Sequence, residues 1–527
     1  MKNISRLVWT ALIVAWIGDQ LFWGKVPGLS ILLIVGAAVG GGLYLAWGEK
    51  VPPARVSWVL LGVVFVLFGF TVIRREPVTT LTNTLLGALL LMVFTDTFRD
   101  GGWVRYGFIQ YATLFLHIIL SAIFEPTFLS RKIRKSELEK VSEYEGKRSA
   151  RKVTPVLRGI LIALPIVWIF ASLLSSADLV FAARMESFFS FFNFERWYEH
   201  AFRATYIVML AYLLCGVYLV AFSKVIEPKT NEAKTGGSRQ LGFTEAIIVL
   251  GSVNLLFIAF VLIQVQYFFG VQINIVMEGY TYATYARRGF GELVTVAIFS
   301  LMLFFVLSGI TKREGLQKRY FSGLGVIMAL LIAVILVSAF QRLLLYEDAY
   351  GFTRLRTYPH VFMVWLGILL AVFVALEIAG RERYFALATL IASLGFAVTL
   401  NVINVDGLIV NQNLSNARGP RLFDQNYLLT LSTDATPALF QHFDDPETPQ
   451  WLREQLGFIL ACQSAELWAE SAELSWSSYH FSRARAAILF LDHAEAMIEF
   501  PVFRVNGSYQ VEVEDERVPC ETYRFVD

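Results

Sequence analysis

The chain has 527 residues, 56% of them hydrophobic and only 17% charged, with 45 Lys and Arg against 43 Asp and Glu for a formal net charge of +2. A soluble domain carries about 25% charged residues, so the composition argues against an ordinary soluble enzyme. Basic residues confined to short loops between apolar runs also argue against a nucleic-acid-binding face, and no nucleic acid partner is expected.

A bilayer crossing takes about 20 mostly apolar residues. On that measure crossings are read at 7–23, 28–48, 56–73, 78–98, 103–124, 155–176, 201–222, 242–268, 291–311, 321–346, 359–379 and 384–404. The fold class is therefore an all-α polytopic membrane protein with about 12 transmembrane helices. They occupy residues 1–404, and a small C-terminal extramembrane α+β domain follows over 405–527. The first apolar run lacks a small-x-small site, so no cleaved leader is expected. The first crossing is short and contains Asp19. The stretch 178–196 is Phe-rich but broken by Arg184 and Glu186, which suits an interfacial or re-entrant segment better than another crossing.

Orientation follows the loops that collect Lys and Arg. Loop 125–154 is strongly basic, and Arg74 and Arg75, the loop 224–239, the loop 312–319, and Arg381 and Arg383 are counted on its side. These loops are expected in the cytoplasm of a bacterial inner-membrane protein with both termini outside. Loop 125–154 is also expected to meet anionic lipid headgroups.

Beyond 404 the hydropathy falls. Ser432, Thr433 and Asp434 are helix-capping candidates. Helical periodicity covers 451–468 and 477–497, and alternation around Asn506-Gly507 predicts a terminal hairpin. Cys215 lies inside a crossing and reads as a small core residue. Cys462 and Cys520 are a disulfide candidate if the tail meets an oxidising compartment, and two reduced thiols otherwise. No cysteine or histidine spacing matches a metal site, and neither metal nor cofactor is expected.

Two segments expected at the outer face concentrate polar chemistry. The first, 278–292, carries Glu278, Tyr280, Tyr282, Tyr285, Arg287, Arg288 and Glu292. The second, 341–360, carries Arg342, Glu347, Asp348, Tyr350, Arg354 and Arg356. Their structural reading is an ion-paired aromatic belt at the membrane boundary. Their functional reading is an outward pocket in which the arginines bind an anionic group and the carboxylates position them. Asp19, Asp96, Gln110, His117, Asn254, Gln264, Gln341, Glu377 and Asn401 place further polar groups in or near crossings, where such residues hint at a pathway or satisfy interhelical hydrogen bonds. Walker, dinucleotide-binding, His-Glu-x-x-His and nucleophile-elbow motifs are all absent, and no catalytic residue is assigned.

The runs GYTYATYARRGFGEL, RLLLYEDAYGFTRLRTYPHVFMVWLG and FDQNYLLTLSTDATPAL, with the RREP turn at 74–77, together resemble a bacterial multi-pass membrane protein family, domain of unknown function 4173. The resemblance covers the later crossings and the start of the tail. It implies architecture and transfers no activity. The leading expectation is a protein that binds or moves an anionic or amphipathic envelope compound, with an anionic or lipid-linked envelope ligand as its partner. One alternative is a non-catalytic sensor or scaffold whose tail engages an envelope protein. The other is a membrane enzyme on a lipid-linked substrate, using Asp96, Asp100, Glu347 or Asp348.

Overall fold

The computed structural model describes residues 4–141, scattered positions between 163 and 185, and residues 195–222, 241–269, 290–311, 315–415, 424–471, 474–505, 507–513 and 516–520. The described helices before the tail are α1 (Ile4–Phe22), α2 (Leu29–Gly48), α3 (Ser57–Ile73), α4 (Pro77–Asp96), α5 (Phe108–Val141), α6 (Glu195–Phe222), α7 (Phe243–Phe269), α8 (Phe290–Ile310), α9 (Leu316–Tyr350), α10 (Arg354–Ile378) and α11 (Phe385–Ile403). Among the described residues, nine helices are long and apolar enough to cross a membrane. The other three expected crossings are represented by the shorter apolar helix Ser57–Ile73, the stretch Thr113–Thr127 and the scattered positions of Ile166–Ser176.

The chain forms two compact units. The first comprises Met1–Trp23, Ala37–Val51 and Leu116–Ser223. Its core gathers Leu7, Ala11, Ala15, Leu45, Ala211, Cys215 and Tyr218. Small residues let its helices close up: a Cβ on Gly216 would lie 2.3 Å from the Ala122 carbonyl oxygen. Tyr218 donates to the Ala38 carbonyl at 2.7 Å. Asp19 is buried but fully engaged, since Arg203 Nε donates to it at 3.0 Å and Arg203 Nη2 and the Tyr206 hydroxyl close on the same carboxylate. A buried carboxylate is tolerated when it is paired and hydrogen-bonded in this way.

The second unit holds Gly24–Gly36, Pro52–Phe115 and Lys224–Asp527. One of its cores runs through α7 to α10, where Phe304, Phe321 and Phe373 are almost wholly buried. Polar groups in these helices find local partners. Asn254 donates to the Leu324 carbonyl at 3.0 Å, Ser338 to Gln264 at 2.8 Å and Ser322 to Glu377 at 2.6 Å. Asn83 and Asn401 exchange amide hydrogen bonds of 3.1 and 2.9 Å between α4 and α11. They therefore read as interhelical glue.

The tail continues from α11 into α12 (Val405–Ser415), α13 (Gln425–Leu429), α14 (Thr436–Phe443), α15 (Gln450–Ser471), α16 (Phe481–Asp492) and α17 (Ala494–Met497). Strands β1 (Val502–Val505), β2 (Ser508–Val513) and β3 (Glu516–Pro519) form an antiparallel meander in the order β1-β2-β3. The expected hairpin is β1–β2, with Val505 opposite Ser508 and Gly507 at φ 91°. A third strand is added, and the expected helix 477–497 is broken at His493. The tail core includes Leu400 of α11 and Val405, so bundle and tail share apolar packing.

This unit has two distinct ends. At one, the α3–α4 turn meets the α9–α10 turn, with Arg354 Nε 3.6 Å from Glu76. At the other, Gly102–Arg105 packs against Glu382–Tyr384, Lys318 pairs with Glu382 at 3.1 Å and Leu241 bridges to Thr311. Arg74 and Arg75 thus lie at the end that holds Arg354 and Arg356, although they were expected to face the opposite side. Counting loop arginines treats each as a free charge, whereas Arg75 is bound to a carboxylate of the tail and Arg74 to a carbonyl of α11.

Candidate functional site

The α3–α4 turn is built by its own sequence. Pro77 occupies the first turn of α4, and Glu76 caps that helix by accepting from Val78 N at 3.0 Å and Thr79 N at 2.6 Å. Asp434 of the tail then accepts from the backbone N–H groups of Arg75 and Glu76 at 2.8 and 2.9 Å. Two donors at the turn are satisfied by one distant carboxylate.

Arg354, at the start of α10, closes the same joint. Its Nε and Nη2 donate to the two oxygens of Asp406 at 2.7 and 2.5 Å, a bidentate pair. Asp406 is fully buried and also accepts from Ser432 N and Oγ at 2.8 and 2.7 Å. The Arg354 N–H donates to the Tyr427 hydroxyl at 2.7 Å, and burial pushes that phenol up. Outside this pair, Arg75 reaches Glu470 at 2.7 Å, and Arg483 donates to the same carboxylate at 2.9 Å. Arg74 Nε donates to the Asn401 carbonyl at 2.9 Å.

His480 is buried, with Nε2 3.1 Å from the Arg74 carbonyl oxygen, which assigns its proton to Nε2. Burial, reinforced by the positive charges of Arg75 and Arg483, pulls its pKa down, against the opposing pull of Asp434. The net effect favours the neutral imidazole beside Arg75 and Arg483.

The expected pocket residues are distributed differently. Glu278, Tyr280, Tyr282, Tyr285, Arg287 and Arg288 lie outside the described residues. Glu292 is exposed at the start of α8. Asp348 and Tyr350 are exposed on the last turn of α9, and Arg342 is half-buried. Arg356 stacks on Tyr346, 4.1 Å from the ring centre, and donates to the carbonyls of Tyr350 and Gly351. Glu347 is buried beside His360, whose Nδ1 lies 3.0 Å from its Oε2. Of the enzyme-reading carboxylates, Asp96 accepts from Tyr106 at 3.1 Å and Asp100 from Gly102 N at 3.2 Å. His117 is exposed on α5. Cys462 and Cys520 are disulfide-bonded, tying α15 to the end of β3.

Sequence reasoning did not assign a site role to Glu76, Asp406, Glu470, His480 or Arg483. Ser432 and Asp434 were expected to cap a helix, but α14 has Ala435 at its N-cap without a side-chain bond. The available signal was the RREP turn, whose charges sit beside a proline and a helix start.

Among the described residues, no group of three or more His, Cys, Asp or Glu side chains is arranged to hold a metal ion. A family model described as Domain of unknown function (DUF4153) matches residues 56–442. The number 4173 is not the one matched. The matched stretch contains Glu76, Arg354, Asp406 and Asp434 and stops before Glu470, His480 and Arg483. No curated protein and no solved structure matches the chain.

Proposed function

Because the chain belongs to the DUF4153 family, whose description assigns no activity, we propose from the joint itself that this is a non-catalytic membrane sensor or scaffold whose C-terminal domain engages an envelope protein. The observation that carries the reading is Arg354. A guanidinium bound to Asp406 on both sides, with Glu76 nearby, is engaged within the protein and wires the tail to two turns of the bundle. Arg356 is likewise engaged by its own turn. The tail also leaves Trp476, Ile488, Leu491 and Ile498 exposed, apolar surface of the kind a protein partner covers.

The same geometry supports a revised topology. The end away from the tail carries Arg99, Arg105, Lys318, Arg319, Arg381 and Arg383, which suits the cytoplasm. The tail, with its disulfide, then lies outside.

Complementation of a deletion strain, read as growth under envelope stress, tests the functional reading. A chain ending at 404 and the variant Arg354→Ala are expected to fail, while Arg287→Ala with Arg288→Ala succeeds. The reverse pattern would restore the anion-pocket reading.

A further inference from the structure

A second buried carboxylate stands outside the joint and lines a cavity. The last turn of α9, the first turns of α10 and α12 border about 250 Å3, lined by Glu347, Phe352, Thr357, His360, Val364 and Leu408 among others. The Glu347 side chain is only 1% exposed. Neither of its oxygens accepts a hydrogen bond from any described residue. His360 Nδ1 lies within ion-pair distance of Oε2 at 3.0 Å but is misaligned for a hydrogen bond. Thr357 offers no proton, because its hydroxyl donates to the Thr353 carbonyl at 3.0 Å. Phe340 stands edge-on to the imidazole, with ring centroids 4.2 Å apart.

Burying a carboxylate with one misaligned contact, to His360, is costly, so the arrangement favours a second partner that brings its own N–H donors. A hard metal ion needs several oxygen ligands, roughly six for calcium or magnesium, and the cavity supplies one carboxylate. An anion would be repelled. An alkylammonium fits both parts of the lining: N–H donors for Glu347 and a carbon chain for Phe352, Val364 and Leu408. We propose that this cavity binds an organic ammonium group with Glu347 as its counter-charge. The inference goes beyond the sensor reading and stands without it. The group comes either from an ethanolamine lipid headgroup, at the depth where α9 ends, or from a free amine.

The test uses full-length protein in nanodiscs of phosphatidylglycerol, with thermal unfolding followed as ethanolamine is added. A saturable rise in Tm is expected for the wild type. Glu347→Gln should shift half-saturation about tenfold or more, and the cavity-filling Val364→Phe should weaken it while keeping the carboxylate. Val364→Phe decides the matter alone if the glutamine variant does not fold. With phosphatidylethanolamine in the nanodisc, a lipid ligand raises Tm without added amine and abolishes the titration, whereas a free-amine site titrates as before. No saturable response of the wild type in either lipid, or responses in both variants equal to its own, would overturn the proposal.

Discussion

At Arg354 one side chain satisfies one buried carboxylate and stands near a second, so its loss is felt at both. Arg354→Ala is expected to destabilise the protein by about 3–5 kcal/mol, because it leaves Asp406 buried and unpaired. Denaturant unfolding in detergent, followed by tail tryptophan fluorescence, measures this. Arg354→Lys should recover only part of the loss, since an ammonium cannot form the bidentate fork. Replacing Arg354 with Met and Asp406 with Leu together should cost less than removing Arg354 alone. His480 gives the joint a pH dependence with a definite sign. Its folded pKa is held below the ordinary 6.5, so the unfolded chain takes up the proton first as pH falls. The stabilisation from the neutral ring is complete above about 6.5 and declines below it, toward the lower folded value. Tm measured against pH should flatten across that window in His480→Gln, and an unchanged profile would refute the assignment.

Helix contacts depend on positions where no side chain fits. A Cβ on Gly395 of α11 would lie 2.1 Å from Trp365 Cη2 on α10, and that indole is pinned by its 3.1 Å hydrogen bond to Thr399. Gly395→Ala should therefore cost about 1–3 kcal/mol through overpacking, seen as a lower unfolding midpoint, whereas Gly62→Ala, with nothing within 4 Å, should not. The helices themselves were legible because each apolar run is long and nearly uncharged, and the Asn506-Gly507 turn announced β1–β2. The joint was not legible in the same way. Arg75 and Asp434 are 359 residues apart, and each looks locally like something else, a topogenic charge or a helix cap. The third strand was missed because Glu516–Pro519 is short and polar. Arg354 was read as an anion-binding arginine, whereas its guanidinium is bound to Asp406, a position where the sequence showed only falling hydropathy.

For the molecule as a whole, the placement of Arg74 beside Arg354 makes topology testable. Single cysteines at Val78, Leu355 and Gly507 should react with an impermeant thiol reagent from one side, and one at Arg381 only from the other. Labelling of Val78→Cys and Arg381→Cys from the same side would refute the arrangement. The disulfide closes a segment with a sequence separation of 58, for which chain-entropy arguments give about 4 kcal/mol. Reductant or Cys520→Ser should lower the tail's unfolding midpoint accordingly.

The joint also imposes an order on biosynthesis. Asp406 and Asp434 are translated long after the turns they satisfy, and Glu470 after both. Arg354 lacks its carboxylate until residue 406 has been made, and the Arg75 and Glu76 amides of the α3–α4 turn lack theirs until residue 434. The tail, made last, supplies the partners that complete both turns.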